Sequence, residues 1–306
     1  MRVAFFGTPE WAVPSLEKLY AGDFDVAAVV TNPDRPAGRG MEEKAPPVKV
    51  VAERLAIPVL QPASARTSDF ADDLRSIAPD VAVVVAYGKI LPRDVLDIPR
   101  RGFVNLHFSL LPRYRGAAPV QRALIEGERV TGASIMVLTE GMDEGPLLAT
   151  HPVEVDPEET AGELGARLAV IGADLWDTVL PPFVSGELIP QDQGSEATYA
   201  AKITTDDARI DWTLPARMIH DLVRGLNPAP GAWTTLGDLR IKVWRSAIST
   251  VSHDLAPGTL AAGRELIVGT GDGALVLTDV QAAGKKRMSG GDLARGLRFA
   301  AGARFG

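Results

Sequence analysis

Short runs of unbroken apolar residues alternate with amphipathic stretches over the first 110 positions of this chain. Residues 3–7 form the first run, and Trp11, Val13, Leu16 and Leu19 then recur at helical spacing, which predicts a strand and a helix over 9–20. The same alternation predicts strands over 26–31, 59–61, 81–87 and 103–109, with helices over 48–56 and 70–77. Strands that are Val-rich throughout belong to a parallel sheet covered on both faces. Helices are expected over 117–126 and 158–184, with strands 133–138 and 151–155 around a turn between them.

Pro, Gln, Asp, Ser and Thr dominate residues 186–205, and beyond them the pattern changes. Short strands are expected over 232–235, 240–245, 258–261, 265–269 and 274–280, with one helix over 215–225. Gly271-Asp272-Gly273 fits a hairpin turn. The expected fold is α/β: a domain over 1–188 with a mostly parallel sheet, a linker over 189–205 and a small β-barrel over 206–306.

At 306 residues the chain is long enough for two cores. The lack of cysteine excludes disulfides, thiolate metal sites and a thiol nucleophile. The start has no signal- or transit-peptide anatomy, and the longest apolar run, 81–87, is far too short to span a bilayer. A cytoplasmic protein with no membrane partner is expected. The net charge of −7 is uneven: residues 205–306 hold 13 Lys/Arg against 10 Asp/Glu, and the rest holds 19 against 29. Lys285, Lys286, Arg287, Arg295, Arg298 and Arg304 follow position 284 with one acid, Asp292. Such a tail suits a polyanion or simply a solvated surface.

Candidate chemistry concentrates in Asn105-Leu106-His107-Phe108-Ser109-Leu110-Leu111-Pro112, followed by Arg113 and Arg115. Alternation along a strand puts Asn105, His107 and Ser109 on one face and Val104, Leu106 and Phe108 on the other. Packing gives no reason for an amide, an imidazole and a hydroxyl in a row. An amide NH2 can donate to an oxyanion forming on a carbonyl carbon, and histidine can carry charge or a proton near neutrality. Asp143, in Glu140-Gly141-Met142-Asp143-Glu144-Gly145, is the best candidate for a carboxylate that orients the histidine.

Other chemistries find little support. No nucleophile elbow surrounds Ser109. His107, His151, His220 and His253 lack ligand spacing, so no metal is expected. Gly7-Thr8-Pro9 is not a dinucleotide fingerprint, and no Walker loop is present. The long segment 32–47 reads as a structureless insertion in a βαβ unit, presenting Arg35 and Arg39 on a Pro/Gly-stiffened backbone.

The Asn-x-His-x-Ser-Leu-Leu-Pro run, with an Asp 36 positions after His107, resembles the formyltransferases that use 10-formyltetrahydrofolate. Over the whole chain the resemblance narrows to those acting on methionyl-tRNA. It extends through Phe6-Gly7-Thr8-Pro9-Glu10-Trp11-Ala12, Pro33-Asp34-Arg35-Pro36-Ala37-Gly38-Arg39-Gly40, Val84-Val85-Ala86-Tyr87-Gly88 and Arg115-Gly116-Ala117-Ala118-Pro119-Val120-Gln121. In the second half it covers Ala208-Arg209-Ile210-Asp211-Trp212, Leu226-Asn227-Pro228 and Ala283-Gly284-Lys285-Lys286.

The resemblance implies a Rossmann-like catalytic domain followed by an OB-like, tRNA-binding barrel in a monomer. It implies Asn105, His107 and Asp143 as the catalytic trio. Asn105 and protonated His107 would stabilise a tetrahedral oxyanion, while Asp143 holds the ring and relays a proton. Ser109, Leu110, Leu111 and Pro112, with Ala86, Tyr87 and Gly88, would contact the folate. Arg35, Arg39, Lys285, Lys286 and Arg287 would contact initiator methionyl-tRNA. The co-substrate would be 10-formyltetrahydrofolate. One departure is Met142-Asp143-Glu144-Gly145-Pro146, where that family commonly has Leu-Asp-Thr-Gly-Asp. A formyltransferase for a small amine, such as a sugar nucleotide or glycinamide ribonucleotide, would share the catalytic strand. A non-catalytic RNA-binding protein would have no use for the trio.

Overall fold

The computed structural model describes residues 1–37, 42–251, 254–297 and 302–306. Arg39, His253 and Arg298 lie outside them. The chain forms two compact units: Met1–Pro119, Val130–Glu154 and Gly165–Ala200 in the first, and Val120–Arg129, Val155–Leu164 and Ala201–Gly306 in the second.

In chain order the elements are β1 (Arg2–Gly7), a 3-10 turn (Glu10–Ala12), α1 (Val13–Ala21), β2 (Asp25–Val30), β3 (Arg35–Ala37) and β4 (Glu42–Lys44). Then come α2 (Pro47–Arg54), β5 (Val59–Leu60), α3 (Ser68–Ile77), β6 (Val81–Val85), α4 (Arg93–Leu96) and β7 (Phe103–His107). After α5 (Pro119–Ile125) follow β8 (Val130–Val137), β9 (Leu147–Glu154), α6 (Ala161–Asp174) and α7 (Trp176–Ser185).

The first sheet runs β5-β2-β1-β6-β7-β8-β9. Its first five strands are parallel and largely apolar, with Asn105 and His107 interrupting β7, while β8 and β9 add an antiparallel hairpin. The order reverses between β1 and β6, so a crevice is expected beyond their carboxyl ends. Small residues let α6 approach β7 closely: a Cβ at Gly172 would sit 2.6 Å from Leu106, and one at Gly165 would sit 2.1 Å from Trp11.

Several expectations need correction. Segment 32–47 is not structureless: β3 and β4 pair as an antiparallel ribbon, Arg35 opposite Lys44. Asp34 steadies its base by accepting from Lys49 and Gln61 at 2.7 Å each, and these bonds, Gln61 foremost, hold the Asp34 carboxyl below its ordinary range. The helix expected over 158–184 is two helices bent by 43°. The bend lets the wholly buried Trp176 donate to Ser15 at 2.9 Å. The strand expected to reach Ser109 stops at His107, opposite Ser134. Beyond that point the Ser134 hydroxyl replaces the ladder, accepting from the Leu111 N–H at 3.1 Å and donating to the Ser109 carbonyl at 2.7 Å. No single helix among the described residues is long and apolar enough to cross a membrane.

The second unit contains α8 (Ala216–Gly225), β10 (Ala232–Leu236), β11 (Leu239–Ile248), β12 (Leu260–Ala262), β13 (Leu266–Gly269), β14 (Ala274–Ala282), β15 (Met288–Ser289) and α9 (Gly290–Leu297). The strands form an antiparallel half-barrel, β10-β11-β14-β13-β12, with β15 on β14. Its core gathers Ile219 and Val223 from α8 with Val243, Leu266, Leu275 and Val280. One helix was expected here; α9 is a second, its Leu293 and Ala294 buried in the same core.

Candidate active site

Asn105 and His107 stand at the end of β7, with Val84 of β6 opposite Asn105. Among the described residues no group donates to or accepts from the Asn105 carboxamide, which is partly exposed. A free amide donor at a strand end is available to a ligand.

His107 is only 6% exposed. Its Nε2 lies 2.8 Å from the Tyr114 carbonyl, and its Nδ1 lies 3.6 Å from an Asp143 carboxylate oxygen. Both neighbours are acceptors, so each ring nitrogen has a place for an N–H. The longer contact is an ion-pair distance rather than a hydrogen bond. The same Asp143 oxygen accepts from the Gly116 N–H at 2.8 Å, which ties the carboxylate to the loop after β7. Glu144, the unusual neighbour, folds back over Gly141, where a Cβ would lie 1.7 Å from its carboxylate.

The site is held in strained backbone. Ala86, Tyr114 and Asp143 have φ of 48°, 60° and 50°, three of five described non-glycine residues in the left-handed region. Each costs on the order of 1–2 kcal/mol, and such residues persist only where surrounding bonds over-determine them. At Tyr114 this conformation turns the carbonyl toward His107. Its own N–H is secured by the Thr198 hydroxyl at 2.9 Å, and Arg115 exchanges backbone bonds with Thr198 and Ala200.

The other residues expected at the site play distinct parts. Ser109 is fully buried, and its hydroxyl donates to the Arg113 carbonyl at 2.6 Å, bracing the turn that Leu110, Leu111 and Pro112 form. Leu110 rests against Gly132, where a Cβ would meet it at 2.6 Å. Ala86 and Gly88 are exposed beyond β6. The Tyr87 ring instead points into the core, edge-on to Phe6 at 5.4 Å, and burial pushes its phenol up to about 12. Its carbonyl accepts from Asn32 at 2.9 Å. Any ligand contact from 86–88 in this arrangement is therefore made by backbone and small side chains.

Arg35 is exposed on the ribbon, and its charge, after burial, lowers the pKa of Lys89. In the second unit Lys285, Lys286 and Arg287 occupy the exposed turn between β14 and β15. Arg287 stacks over Trp244 and Arg240 over Trp233, each 3.8 Å from the ring centroid. An open depression of about 450 Å³ lies on this face, lined in part by Trp233, Arg240, Lys242, Gln281 and Gly284. No group of three or more His, Asp or Glu among the described residues could hold a metal ion.

Sequence reasoning missed Ser134, Thr198 and Gln193. Each is an ordinary polar residue in a strand or loop, and only the fold brings it to the candidate residues.

Residues 1–180 match the formyl transferase family, and residues 202–298 match the formyl transferase C-terminal domain. A methionyl-tRNA formyltransferase of Streptomyces coelicolor is 51% identical over 309 aligned positions, covering 100% of both chains. The chain belongs to the formyl transferase family, among the methionyl-tRNA formyltransferases. Solved formyl transferases share the fold. An N-formyltransferase from Helicobacter canadensis, in complex with folinic acid and dTDP-3-aminofucose, superposes with a TM-score of 0.70 at 17% identity, covering 90% of this chain and 98% of that one. A methionyl-tRNA formyltransferase from Clostridium thermocellum gives 0.57 at 16% identity over 81% and 94%. At these identities the likeness concerns the formyl transferase fold alone.

Proposed function

We propose that this formyl transferase moves the formyl group of 10-formyltetrahydrofolate to the α-amino group of initiator methionyl-tRNA in the cytoplasm. The observation that carries the reading is the Asn105 carboxamide, unpartnered among the described residues, on the strand that brings a buried His107 to the part-buried Asp143, in a chain 51% identical end to end to a methionyl-tRNA formyltransferase.

In the reaction the amine nitrogen bonds to the formyl carbon, the bond from that carbon to the folate nitrogen breaks, and one amine proton ends on the folate nitrogen. Asn105 donates to the formyl oxygen as negative charge develops there, in a partly dry site where a fixed donor is most effective. His107 acts through charge and proton storage, because its Nε2 already faces the Tyr114 carbonyl. Asp143 holds the ring and passes protons through water, its second bond to Gly116 keeping it in place. The exposed residues Ala86 and Gly88 beyond β6, and the braced turn 109–112 beyond the neighbouring β7, fit a flat ring system approached by main chain. On the second unit, cations stacked on Trp233 and Trp244 suit a polyanionic RNA. Arg35 beside Lys89 suits the same partner.

The test is formyl transfer from 10-formyltetrahydrofolate to initiator methionyl-tRNA, run beside a dTDP-amino sugar. Fast transfer to the tRNA alone, with affinity falling steeply with salt, is the expected result. Transfer to the sugar nucleotide, with tRNA binding insensitive to salt, would overturn the choice of acceptor.

A further inference from the structure

Gln193 lies far from the catalytic residues in sequence, in a polar stretch that reads as linker. In the structure its carboxamide uses all four of its hydrogen-bonding positions. The NH2 group donates to the Asp143 carbonyl at 2.8 Å and to the Gly145 carbonyl at 2.6 Å. The oxygen accepts from two nitrogens of Arg115, Nε at 3.0 Å and Nη2 at 2.8 Å. Arg115 can only donate and the two carbonyls can only accept, so the amide has a single orientation. Arg115 is itself buried, and its backbone bridges to Thr198 and Ala200.

We propose that Gln193, fixed by Arg115, is a positioning residue that locks the loop carrying Asp143 so that its carboxylate stays between His107 Nδ1 and the Gly116 N–H. The argument is geometric. Asp143 sits at φ 50°, a conformation a non-glycine residue leaves unless its flanking groups are held. Gly141 and Gly145 flank it and supply no side-chain anchor, and Gly145 is packed so closely that a Cβ would lie 1.8 Å from the Val137 carbonyl. Among the described residues the carboxylate accepts one hydrogen bond, from the Gly116 N–H, and makes its longer ion-pair contact with His107. Two bonds from one rigid amide to the carbonyls of residues 143 and 145 supply the missing restraint. The inference rests on the reading of Asp143 as the catalytic carboxylate.

The test uses the full chain with Gln193→Met, which keeps length and apolar bulk but removes donors and acceptor, and Gln193→Glu, which keeps the Arg115 partner and removes the donors. Both variants are expected to lose about 10- to 100-fold in kcat, in line with displacement of a catalytic group by about an ångström, while KM for folate and for tRNA stays within about twofold. The Gly116 amide, whose partner is Asp143, should exchange hydrogen faster in both variants, with amides of the central strands unchanged. A kcat within about twofold of the parent in both variants overturns the proposal. So does a parallel worsening of kcat and both KM values with lower thermal stability, which marks a structural role only. Asp143→Asn is assayed alongside. If it keeps full turnover, the reading of the carboxylate fails, and Gly116 exchange still reports whether Gln193 holds the loop.

Discussion

Each unit contains a small buried polar network, and the two are finished differently. In the second unit Asp221 and Arg224 on α8 are each 3% exposed and joined at 2.6 Å. The other Asp221 oxygen takes Arg217, and Arg224 also reaches the carbonyls of Asp156 and Glu159. His220 beside them faces Ser246 and the Pro157 carbonyl. That network is closed. The network at the end of β7 ties down His107, Asp143 and Ser109 in the same way but leaves the Asn105 carboxamide without a partner among the described residues. Closed networks hold a shape, whereas a network with one free, fixed donor has been left a place for something else.

The largest effect that sharpens this contrast is on stability. Arg224→Ala breaks the buried pair, leaving Asp221 with the half-exposed Arg217, and is expected to cost about 3–5 kcal/mol in urea unfolding, with turnover per folded molecule unchanged. If unfolding shifts by less than a kcal/mol, the network is not closed in the sense argued. Asn105→Ala is expected to do the reverse. Loss of a donor to the developing oxyanion costs about 2.7–4 kcal/mol of barrier, a hundredfold or more in turnover. Stability should move by no more than about 0.5 kcal/mol, since no protein partner is orphaned. Near-normal turnover in this variant and in His107→Ala would remove the catalytic assignment.

Smaller effects belong to the exposed face of the half-barrel. Arg240→Ala and Arg287→Ala should each weaken tRNA binding a few-fold and reduce the slope of log affinity against log salt by about 1, with kcat at saturating tRNA preserved. An unchanged slope would make these cations mere covers for Trp233 and Trp244. The smallest effect concerns acid stability. Bonds from Thr160, followed by Arg245, hold the Glu163 carboxyl below its ordinary range. A carboxyl depressed in the folded state adds stability above its unfolded value, about 4.3, and loses it as pH falls through the lower folded value. Glu163→Gln should therefore narrow the gap in urea midpoint between pH 6 and pH 3. An unaltered gap would show that the Thr160–Glu163 cap contributes nothing measurable.

Much of the molecule was legible because its signals are local. Apolar runs such as 81–85 and the helical spacing of Leu16 and Leu19 report burial directly, so β6 and α1 followed from periodicity. The candidate trio was legible for a similar reason: Asn105 and His107 interrupt an apolar strand, and Asp143 lies between glycines. The β3–β4 ribbon was not, because its strands are three residues each and carry Pro, Arg, Glu and Lys. Nor was the end of β7, since alternation continues to Ser109 while pairing with β8 stops at His107.

The sequence by itself therefore determined the layered α/β unit, the antiparallel second unit and the residues whose chemistry is out of place in a core. Tertiary structure alone decided which of those residues are free and which are held. Asn105 is unpartnered among the described residues, His107 is caught between Tyr114 and Asp143, and Gln193 arrives from 50 residues past Asp143 to bond the loop carbonyls. Periodicity reports what a side chain must avoid, namely water. A hydrogen bond between distant residues depends on distances of a few tenths of an ångström, which only the packed chain sets.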